Sequence, residues 1–348
     1  YNNWQYLKTQ IGYVPQEEII HTQLTVQESL YYTAKLRLES ISDREIEMKI
    51  DQVLKDLNIF SKKFNLISNL SGGQKKRVSI AVELMTDPLI LFLDEPTSPL
   101  DPETIENFLL ILKKLSENGT TILMVTHKPE DLDYMDEVIF LAEGGNMVYQ
   151  GDTKKYKSYF NVKTPVAVFS EISGLSSKTW IQKYLNPRPL TSISSSSSFS
   201  KNKSDASIMN QFYWLTKRYF NIKINDKVNS LLMLLQAPII AILICLIFKE
   251  ITGAVLFMIA ISAIWLGTQN AAREIVAEKA IYKRERMFNL FILPYIFSKI
   301  SVLSFFSLIQ SMIFMFILYI NYSGSSLISE INNTFFLFLW MIFLSISA

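Results

Sequence analysis

The chain has 348 residues with a formal net charge of +2, and 49% of them are hydrophobic. This length suggests about two domains, the apolar content excludes a disordered protein, and the near-zero charge argues against nucleic-acid binding through phosphates. One cysteine and two histidines exclude an internal disulfide framework and leave little room for a metal site built from these residues.

Charges divide the chain into two halves. Charged residues are spread along the chain up to Ser230 and almost vanish after it, apart from one cluster that runs from Arg273 to Arg286. The first residues are polar and aromatic, without the apolar core of a signal peptide, whereas the last residues, from Phe335, are apolar. We therefore expect a soluble half followed by a membrane half, within a fragment of a longer protein.

The soluble half begins with one strand pattern and two helix patterns. Residues 11–14 form a short apolar run that predicts a strand. Thr25 and Glu28 form a capping box, which predicts a helix that runs to Arg37. Apolar residues recur at helical spacing over 42–58, so a second helix is predicted there.

Strands and helices continue to alternate further along. The uninterrupted apolar run 89–93 predicts a strand that is covered on both faces in a parallel sheet. Asp101 and Pro102 begin a helix, 121–125 predicts a second buried strand, and a Gly-Gly pair separates the two strands of a hairpin. This order predicts a doubly wound α/β domain.

A linker and a series of apolar segments follow. Residues 187–207 contain two prolines and a serine run, which predict an exposed linker, and 211–227 is charged and amphipathic. Four apolar segments come next, and a bilayer core needs about 20 helical residues. Buried core helices are the alternative, but four such segments so close together favour a membrane domain. The segments are 231–248, 251–267, 300–320 and a fourth that begins at Phe335.

Positive residues orient the predicted spans. The segment between the second and third spans carries five lysines and arginines, from Arg273 to Arg286, whereas the loop 321–333 carries none. Because cytoplasmic loops carry an excess of these residues, this segment and the soluble half are predicted to be cytoplasmic. Lys299, at the cytoplasmic end of the third span, is expected to extend toward water.

A glycine-flanked serine precedes a predicted helix. Ser71, Gly72, Gly73 and Gln74 place backbone N–H groups at a helix N-terminus, where the helix dipole also favours an anion. A phosphate group would fit there. The structural alternative is a simple helix cap, which is the commoner role of a glycine turn before a helix.

Acidic residues and a histidine follow the two apolar strands. Asp94 and Glu95 come directly after 89–93, and His127 follows 121–125. Because ligands bind beyond the carboxyl ends of strands in open α/β sheets, these side chains are expected at one edge. Asp94 could hold Mg²⁺, Glu95 could activate a water molecule, and His127 could donate a hydrogen bond to a phosphate. Solvated strand-end acids and a surface histidine are the structural alternatives.

In combination these motifs resemble those of ATP-binding cassette (ABC) proteins, in the family's order and spacing. Residues 70–74 resemble the signature sequence, 89–94 the Walker B strand, and 98–101 the D-loop, although proline is unusual at its second position. By this resemblance, Glu95 would be the catalytic glutamate and His127 the switch histidine.

The resemblance implies further site residues. Gln16 looks like the Q-loop glutamine and, with Asp94, would hold Mg²⁺ beside the ATP. The residues expected to contact the nucleotide are Gln16, Ser71, Gly72, Gly73, Gln74, Asp94 and Asp101.

The likeness narrows to the ABCG (white/pleiotropic drug resistance) subfamily. Residues 24–28, 70–83 and 273–286 are similar to that subfamily, and the last of these resembles a coupling helix that contacts the nucleotide-binding domain. The resemblance implies a half-transporter that works as a dimer. Each ATP would lie between the acidic pair of one chain and the Ser71 region of its partner.

One expected motif is absent from these residues. No G-x-x-x-x-G-K-[ST] sequence occurs in the 348 residues, so they hold no P-loop. The family places this loop before the Q-loop, and we therefore expect it upstream of Tyr1, with further spans after Ala348. The 348 residues alone are expected to bind ATP poorly or not at all.

The predicted fold is an α/β P-loop NTPase-like domain, a partial ABC nucleotide-binding domain, followed by a partial all-α transmembrane domain of the ABC-2 type. The predicted bounds are 1–186 for the nucleotide-binding domain, 187–207 for the linker and 208–348 for the membrane domain.

The favoured function is ATP-driven export of a lipophilic or amphipathic substrate. The implied ligands are ATP and Mg²⁺, and the implied partners are the lipid bilayer and a second copy or a homologous half-transporter, with no nucleic acid. The plasma (inner) membrane is the expected location, with a cytoplasmic nucleotide-binding domain. A membrane-tethered ATPase that transmits a signal or force without moving a solute stays open, whereas a soluble cassette protein of the DNA-repair type is disfavoured by the spans.

Overall fold

The computed structural model describes residues 10–38, 41–98, 100–173, 176–185, 207–272, 274–288, 290–322 and 331–347. Nearly all of the predicted linker, together with Pro99 and Arg273, lies outside these ranges. The chain forms two compact units that are interleaved along the sequence. The sheet unit comprises Tyr1–Glu18, Val53–Ile59 and Ser71–Lys203, and the helical unit comprises Ile19–Gln52, Phe60–Leu70 and Ser204–Ala348. The domain bounds given by the sequence stay a prediction.

Strands and helices alternate before the linker, and the described residues after it form helices. The first group is β1 (Ile11–Val14), α1 (Val26–Arg37), α2 (Asp43–Asp56), α3 (Gly72–Leu84), β2 (Ile90–Asp94), α4 (Pro102–Glu117), β3 (Thr121–Val125), β4 (Glu137–Ala142), β5 (Asn146–Asp152), α5 (Tyr156–Phe160), α6 (Pro165–Ile172) and α7 (Ser176–Leu185). The second group is α8 (Ile208–Asn225), α9 (Lys227–Ile247), α10 (Gly253–Ala271), α11 (Glu274–Ala277), α12 (Lys279–Arg286), α13 (Ile292–Tyr322) and α14 (Ile331–Ser347).

A parallel sheet forms the centre of the sheet unit. In the described part of the chain its strand order is β1-β2-β3, with Val14 opposite Leu93 and Asp94 opposite Val125. The carboxyl ends of these strands therefore lie at one edge of the sheet, as the sequence predicts. Helix α3 packs against β1, and α4 packs against β3.

The coverage of the sheet differs from the prediction. Leu91 and Leu93 of β2 are buried, but alternate residues of β3 are exposed, including Leu123 and Val125. The prediction that 121–125 is a buried strand is therefore wrong for the described residues, since one face of β3 is exposed. An apolar strand is typical of a sheet that is covered on both faces. Among the described residues, however, no element packs over the side chains of Leu123 and Val125.

The predicted hairpin is confirmed as a second, antiparallel sheet. Strands β4 and β5 pair around Gly144 and Gly145, whose φ angles of +76° and +75° lie in the left-handed region that favours glycine. Phe140 of β4 packs on Phe160 and Tyr156 in a cluster of aromatic and aliphatic side chains.

The helices begin where the sequence places their caps. Thr25 and Glu28 form a capping box at α1, and Ser71 and Gln74 form another at α3. Asp101 caps α4, with Pro102 at its first position.

Apolar helices dominate the part of the helical unit that follows the linker. Among the described residues, α9, α10 and α13 are long and apolar enough to cross a membrane, and α14 is shorter. Small residues, Ala237, Ala241 and Ala263, let these helices pack closely around Phe314. Large side chains such as that of Leu246 point outward, as expected for contact with lipid. Three described helices therefore have the length and composition that the predicted spans require.

A polar chain joins three of these helices. Asn270 Nδ2 donates to Gln310 Oε1 over 2.6 Å, and Gln310 Nε2 donates to the Met233 carbonyl over 2.6 Å. Gln310 is fully buried, so its amide groups need partners within the protein. Helix packing therefore accounts for the positions of Asn270 and Gln310.

Lys299 lies elsewhere than the sequence suggests. Helix α13 begins at Ile292, about two turns earlier, and Lys299 is only 5% exposed. Its Nζ lies 2.6 Å from Glu278 Oε2. The expectation that Lys299 extends toward water is wrong, because a carboxylate from the preceding segment pairs with its charge.

Candidate functional site

Three predicted site residues meet at the carboxyl edge of the parallel sheet. Gln16, which follows β1, donates from Nε2 to Glu95 Oε2 over 3.1 Å. His127, which follows β3, has its Nδ1 3.1 Å from Glu95 Oε1. Glu95 thus lies between the Gln16 amide and the His127 imidazole, because the three residues follow the neighbouring strands β1, β2 and β3. The strand ends alone predict that Glu95 and His127 lie at this edge, whereas Gln16 is expected there only from the family resemblance.

The backbone of Glu95 holds its side chain in an unusual position. Its φ is +41°, in the left-handed region that non-glycine residues rarely adopt. Its N–H still donates to the Val125 carbonyl over 3.0 Å, which anchors the turn to the neighbouring strand. Backbone strain of this kind is frequent at functional sites, where surrounding contacts keep it in place. The side chain is 27% exposed and that of His127 is 62% exposed, so a ligand can approach both.

The carboxyl edge of the parallel sheet could bind a Mg²⁺ ion whose remaining ligands are phosphate oxygens and water. Asp94 ends β2 next to Glu95, and Gln16 directs its amide nitrogen to Glu95, so its amide oxygen can serve as a ligand. Among the described residues no group of three or more His, Cys, Asp or Glu side chains could hold a metal. Mg²⁺ needs no such cage, since it is commonly bound by one or two carboxylates, water and substrate phosphates.

The glycine-flanked serine forms a more closed cap than the sequence suggests. Ser71 Oγ accepts from the Gln74 N–H over 3.4 Å, and Gln74 Oε1 accepts from the Ser71 N–H over 3.1 Å. These two amides are therefore engaged within the loop, so the Ser71 N–H is not the bare group available to an anion that the sequence suggests. The N–H groups of Gly72 and Gly73, in the first helical turn, are the ones that helix geometry leaves for an anion.

The two glycines have different structural roles. A Cβ on Gly73 would lie 2.9 Å from Thr104 Cγ2 and 3.2 Å from Leu100 Cδ2, so a larger residue would force these side chains to move. A Cβ on Gly72 would meet nothing within 4 Å. Gly73 is thus required for packing of α3 near α4, whereas Gly72 faces open space.

Asp101 is engaged at the start of α4. Its Oδ1 accepts from the Thr104 N–H over 3.0 Å, and its Oδ2 accepts from Thr104 Oγ1 over 2.7 Å. These contacts explain Asp101 as a helix cap. A contact between Asp101 and a nucleotide stays a prediction.

Sequence reasoning missed a buried lysine in α3. Lys76 is fully buried, and its Nζ donates to the carbonyl oxygens of Pro15 over 2.9 Å and Gln16 over 2.7 Å. The available signal was helical spacing, since Lys76 lies on the same face as Ile80 and Glu83, which are also fully buried.

A second missed residue is Asp131, behind the loops that carry Glu95 and His127. Asp131 is 1% exposed, and its Oδ2 accepts from Thr97 Oγ1 over 2.8 Å and from Thr126 Oγ1 over 2.6 Å. Lys128 Nζ donates to the Thr97 carbonyl over 2.7 Å. These bonds tie the two loops together. No sequence signal singles out Asp131 from the surface acids around it.

The helical unit holds a separate cluster of buried charges. Arg218 of α8 makes a bidentate pair with Glu285 of α12, in which Nη2 of Arg218 lies 2.8 Å from Oε2 of Glu285. His21 Nδ1 lies 4.0 Å from Glu278 Oε1, and the Arg37 guanidinium stacks 3.7 Å from the centre of the Phe288 ring. Residues that precede and follow the linker therefore meet here.

Arg218 affects the pKa values of two buried groups in this cluster, Glu285 and His21. It opposes the effect of burial on Glu285 and adds to the effect of burial on His21. Burial raises the pKa of Glu285, but the adjacent Arg218 outweighs this effect and holds the pKa at about 2. Burial lowers the pKa of His21 well below its usual value, and the nearby Arg218 lowers it further. Glu285 is therefore ionised and His21 neutral at neutral pH.

Comparisons with known proteins match both parts of the chain. A family model described as ABC transporter matches residues 1–98, and one described as ABC-2 type transporter matches residues 210–348. Together with the relatives described below, these two matches fit an ABCG-like ABC transporter. The chain has the fold of an N-terminal ABC nucleotide-binding domain followed by an ABC-2 type membrane domain, as the sequence predicts, and it is an integral membrane protein.

Relatives of this ABC transporter chain occur in bacteria, plants and animals. The ABC transporter ATP-binding/permease protein Rv1747 of Mycobacterium tuberculosis is 28% identical over 335 residues, which are 91% of this chain and 39% of that protein. ABC transporter G family member 28 of Arabidopsis thaliana is 36% identical over 45% of this chain and 15% of its own length. The broad substrate specificity ATP-binding cassette transporter ABCG2 of Mus musculus is 38% identical over 43% of this chain and 24% of its own length. The chain thus spans less than half of each relative.

Proposed function

We propose that the full-length protein is an ATP-driven exporter of a lipophilic or amphipathic substrate and works as a dimer of half-transporters. The observation that carries the proposal is the convergence of Gln16 and His127 on Glu95, beside Asp94. An ABC ATPase domain binds ATP, and its pairing with an ABC-2 membrane domain couples hydrolysis to transport at the level of the family. The name of one relative, ABCG2, describes a transporter of broad substrate specificity, which supports transport as the function.

The side chains at the sheet edge have complementary chemical roles. Glu95 orients a water molecule and accepts its proton as the water oxygen bonds to the γ-phosphorus and the bond to ADP breaks. His127 donates an N–H toward the phosphate oxygens. Asp94 and Gln16 would hold Mg²⁺, which would offset the negative charge that develops on the transferred group.

The partner half completes the site in this proposal. Ser71, Gly72, Gly73 and Gln74 of one chain face the ATP held by the other, and the first-turn amides of α3 donate to its phosphates. Asp101 lies between the two halves near the same nucleotide. The nucleotide-binding domain is cytoplasmic, and the protein is placed in the plasma (inner) membrane.

The charge cluster in the helical unit joins α12 to segments that precede and follow the linker. Glu285 of α12 pairs with Arg218 of α8, and Glu278 lies near His21 and Lys299. We therefore assign α12 the role of a coupling helix, whose position responds to closure of the ATP-bound dimer.

One substitution tests the assignment of the base. Glu95→Gln in the full-length protein should abolish ATP turnover while ATP-bound dimers persist, because the amide cannot accept the proton. Glu106→Gln, an exposed change on α4, is the matched control and should hydrolyse ATP at the wild-type rate. Near wild-type turnover in Glu95→Gln contradicts the assignment.

Transport itself separates the proposal from the alternative of a tethered ATPase. Inverted membrane vesicles that hold the full-length protein should accumulate amphipathic test compounds only with ATP, and these compounds should raise the ATPase rate. ATP hydrolysis that no compound alters and that drives no accumulation would favour a role in signalling or force transmission.

A further inference from the structure

Lys76 connects the helix that begins at Ser71 with the segment that carries Gln16. Its ammonium group donates to the carbonyl oxygens of two consecutive residues, Pro15 and Gln16, at 2.9 and 2.7 Å. The side chain is fully buried. Gln16 in turn donates to Glu95 over 3.1 Å, so one side chain separates Lys76 from the predicted base.

A buried ammonium that is satisfied by carbonyls is a costly arrangement. Lysine is almost never fully buried unless it is paired, and burial disfavours its charged form. Burial indeed lowers the pKa of Lys76, which nonetheless keeps both charge-assisted hydrogen bonds. An apolar residue would fill the same space, but it would leave the Pro15 and Gln16 carbonyls without this donor. The bonds to two adjacent carbonyls also fix the direction in which the chain leaves β1.

Helix α3 carries both the Ser71 cap and Lys76, so it connects the two. Ser71 caps α3, and Lys76 lies about 7 Å further along the same helix, given a rise of about 1.5 Å per residue. Within so short a distance the helix moves as a rigid body. A displacement of the N-terminus of α3 therefore reaches the backbone of Gln16 through Lys76.

We propose that Lys76 is a positioning residue that couples the Ser71 end of α3 to Gln16 and, through Gln16, to Glu95. The proposal rests on the proposed function, in which Ser71 faces the ATP of the partner chain and Gln16 faces the ATP of its own chain. Lys76 then links the two ATP sites of the dimer. Closure of α3 on one nucleotide sets the position of the amide that orients the base at the other.

Lys76→Met in the full-length protein tests this role by two measurements. Methionine preserves the volume of the lysine side chain and removes both hydrogen bonds to the Pro15 and Gln16 carbonyls. Because a misplacement of a catalytic group by about 1 Å can lower rates up to about a hundredfold, kcat for ATP should fall at least tenfold. KM for ATP should stay within about threefold. Amide exchange over residues 11–18, measured without nucleotide, should become faster. Lys113→Met, an exposed lysine on α4, is the charge-matched control and should change neither quantity.

A double-mutant cycle with Gln16→Ala separates positioning from general destabilisation. If Lys76 acts through Gln16, Lys76→Met should lower kcat little further in the Gln16→Ala background. Multiplicative losses, or unchanged amide exchange over 11–18 in Lys76→Met, would overturn the proposal. Should Lys76→Met fail to reach the membrane, Lys76→Gln retains two N–H donors and should show a smaller loss in the same cycle. A wild-type protein without ATPase activity would contradict the proposed function, whereas the exchange measurement still decides whether Lys76 holds this segment.

Discussion

Arg218→Met should destabilise the helical unit because it leaves a buried carboxylate without its partner. The side chains of Arg218 and Glu285 are 6% and 13% exposed and form two parallel hydrogen bonds. Unit charges about 4 Å apart attract by about 4 kcal/mol at an effective dielectric constant of about 20. Removal of one partner of a buried pair typically costs about 3–5 kcal/mol, which agrees with this figure. For a unit of this size, the melting temperature should fall by on the order of 10 °C.

Thermal unfolding of the detergent-solubilised full-length protein measures this effect. Lys217→Met, which changes an exposed neighbour on α8, is the control. It removes the cation–π contact of Lys217 with Trp214, so the free energy of unfolding should fall by at most about 1 kcal/mol and the midpoint should shift little. Arg218→Met combined with Glu285→Leu should recover most of the loss, since apolar replacement of a whole buried pair is often neutral. A midpoint for Arg218→Met equal to that of the Lys217 control would refute the reasoning.

Three smaller perturbations test other contacts. Gly73→Ala should destabilise the protein by about 1–3 kcal/mol through overpacking, whereas Gly72→Ala should be near neutral, and thermal unfolding compares the two. Burial lowers the pKa of His21, so below about pH 6.5 the imidazole binds a proton in the unfolded protein but not in the folded protein. The contribution of His21 to stability is therefore complete above that pH and should fall as the pH drops. Unfolding titrations at several pH values should show a smaller slope for His21→Leu. Asp131→Asn should cost about 1–3 kcal/mol, because two threonine hydroxyls lose an ionised acceptor, and amide exchange over 126–131 should report the loss.

The sequence predicts the elements of this fold well because their signals are local. The capping box of Thr25 and Glu28, the cap at Asp101 and the apolar run 89–93 each act within a few residues of chain. The same holds for the apolar helices, whose length and composition are sufficient. Glu95 and His127 could also be placed at one edge, because parallel strands have a fixed direction.

Other features depend on contacts between distant residues, and local patterns do not encode them. Gln16 and Glu95 are 79 positions apart, and Arg218 and Glu285 are 67 apart. Lys76 looks like one more polar residue at a helix start until its face and the Q-loop backbone are seen together. The exposed face of β3 and the burial of Lys299 likewise depend on which neighbours pack there.

Charge distribution and compactness divide the chain at different places. The sequence separates a charged first half from an apolar second half, yet Ile19–Gln52 and Phe60–Leu70 group with the membrane helices. The buried pairs explain why, since His21 lies near Glu278 and Arg37 stacks on Phe288. The chain passes from one compact unit to the other between Glu18 and Ile19, directly after the segment that Lys76 holds.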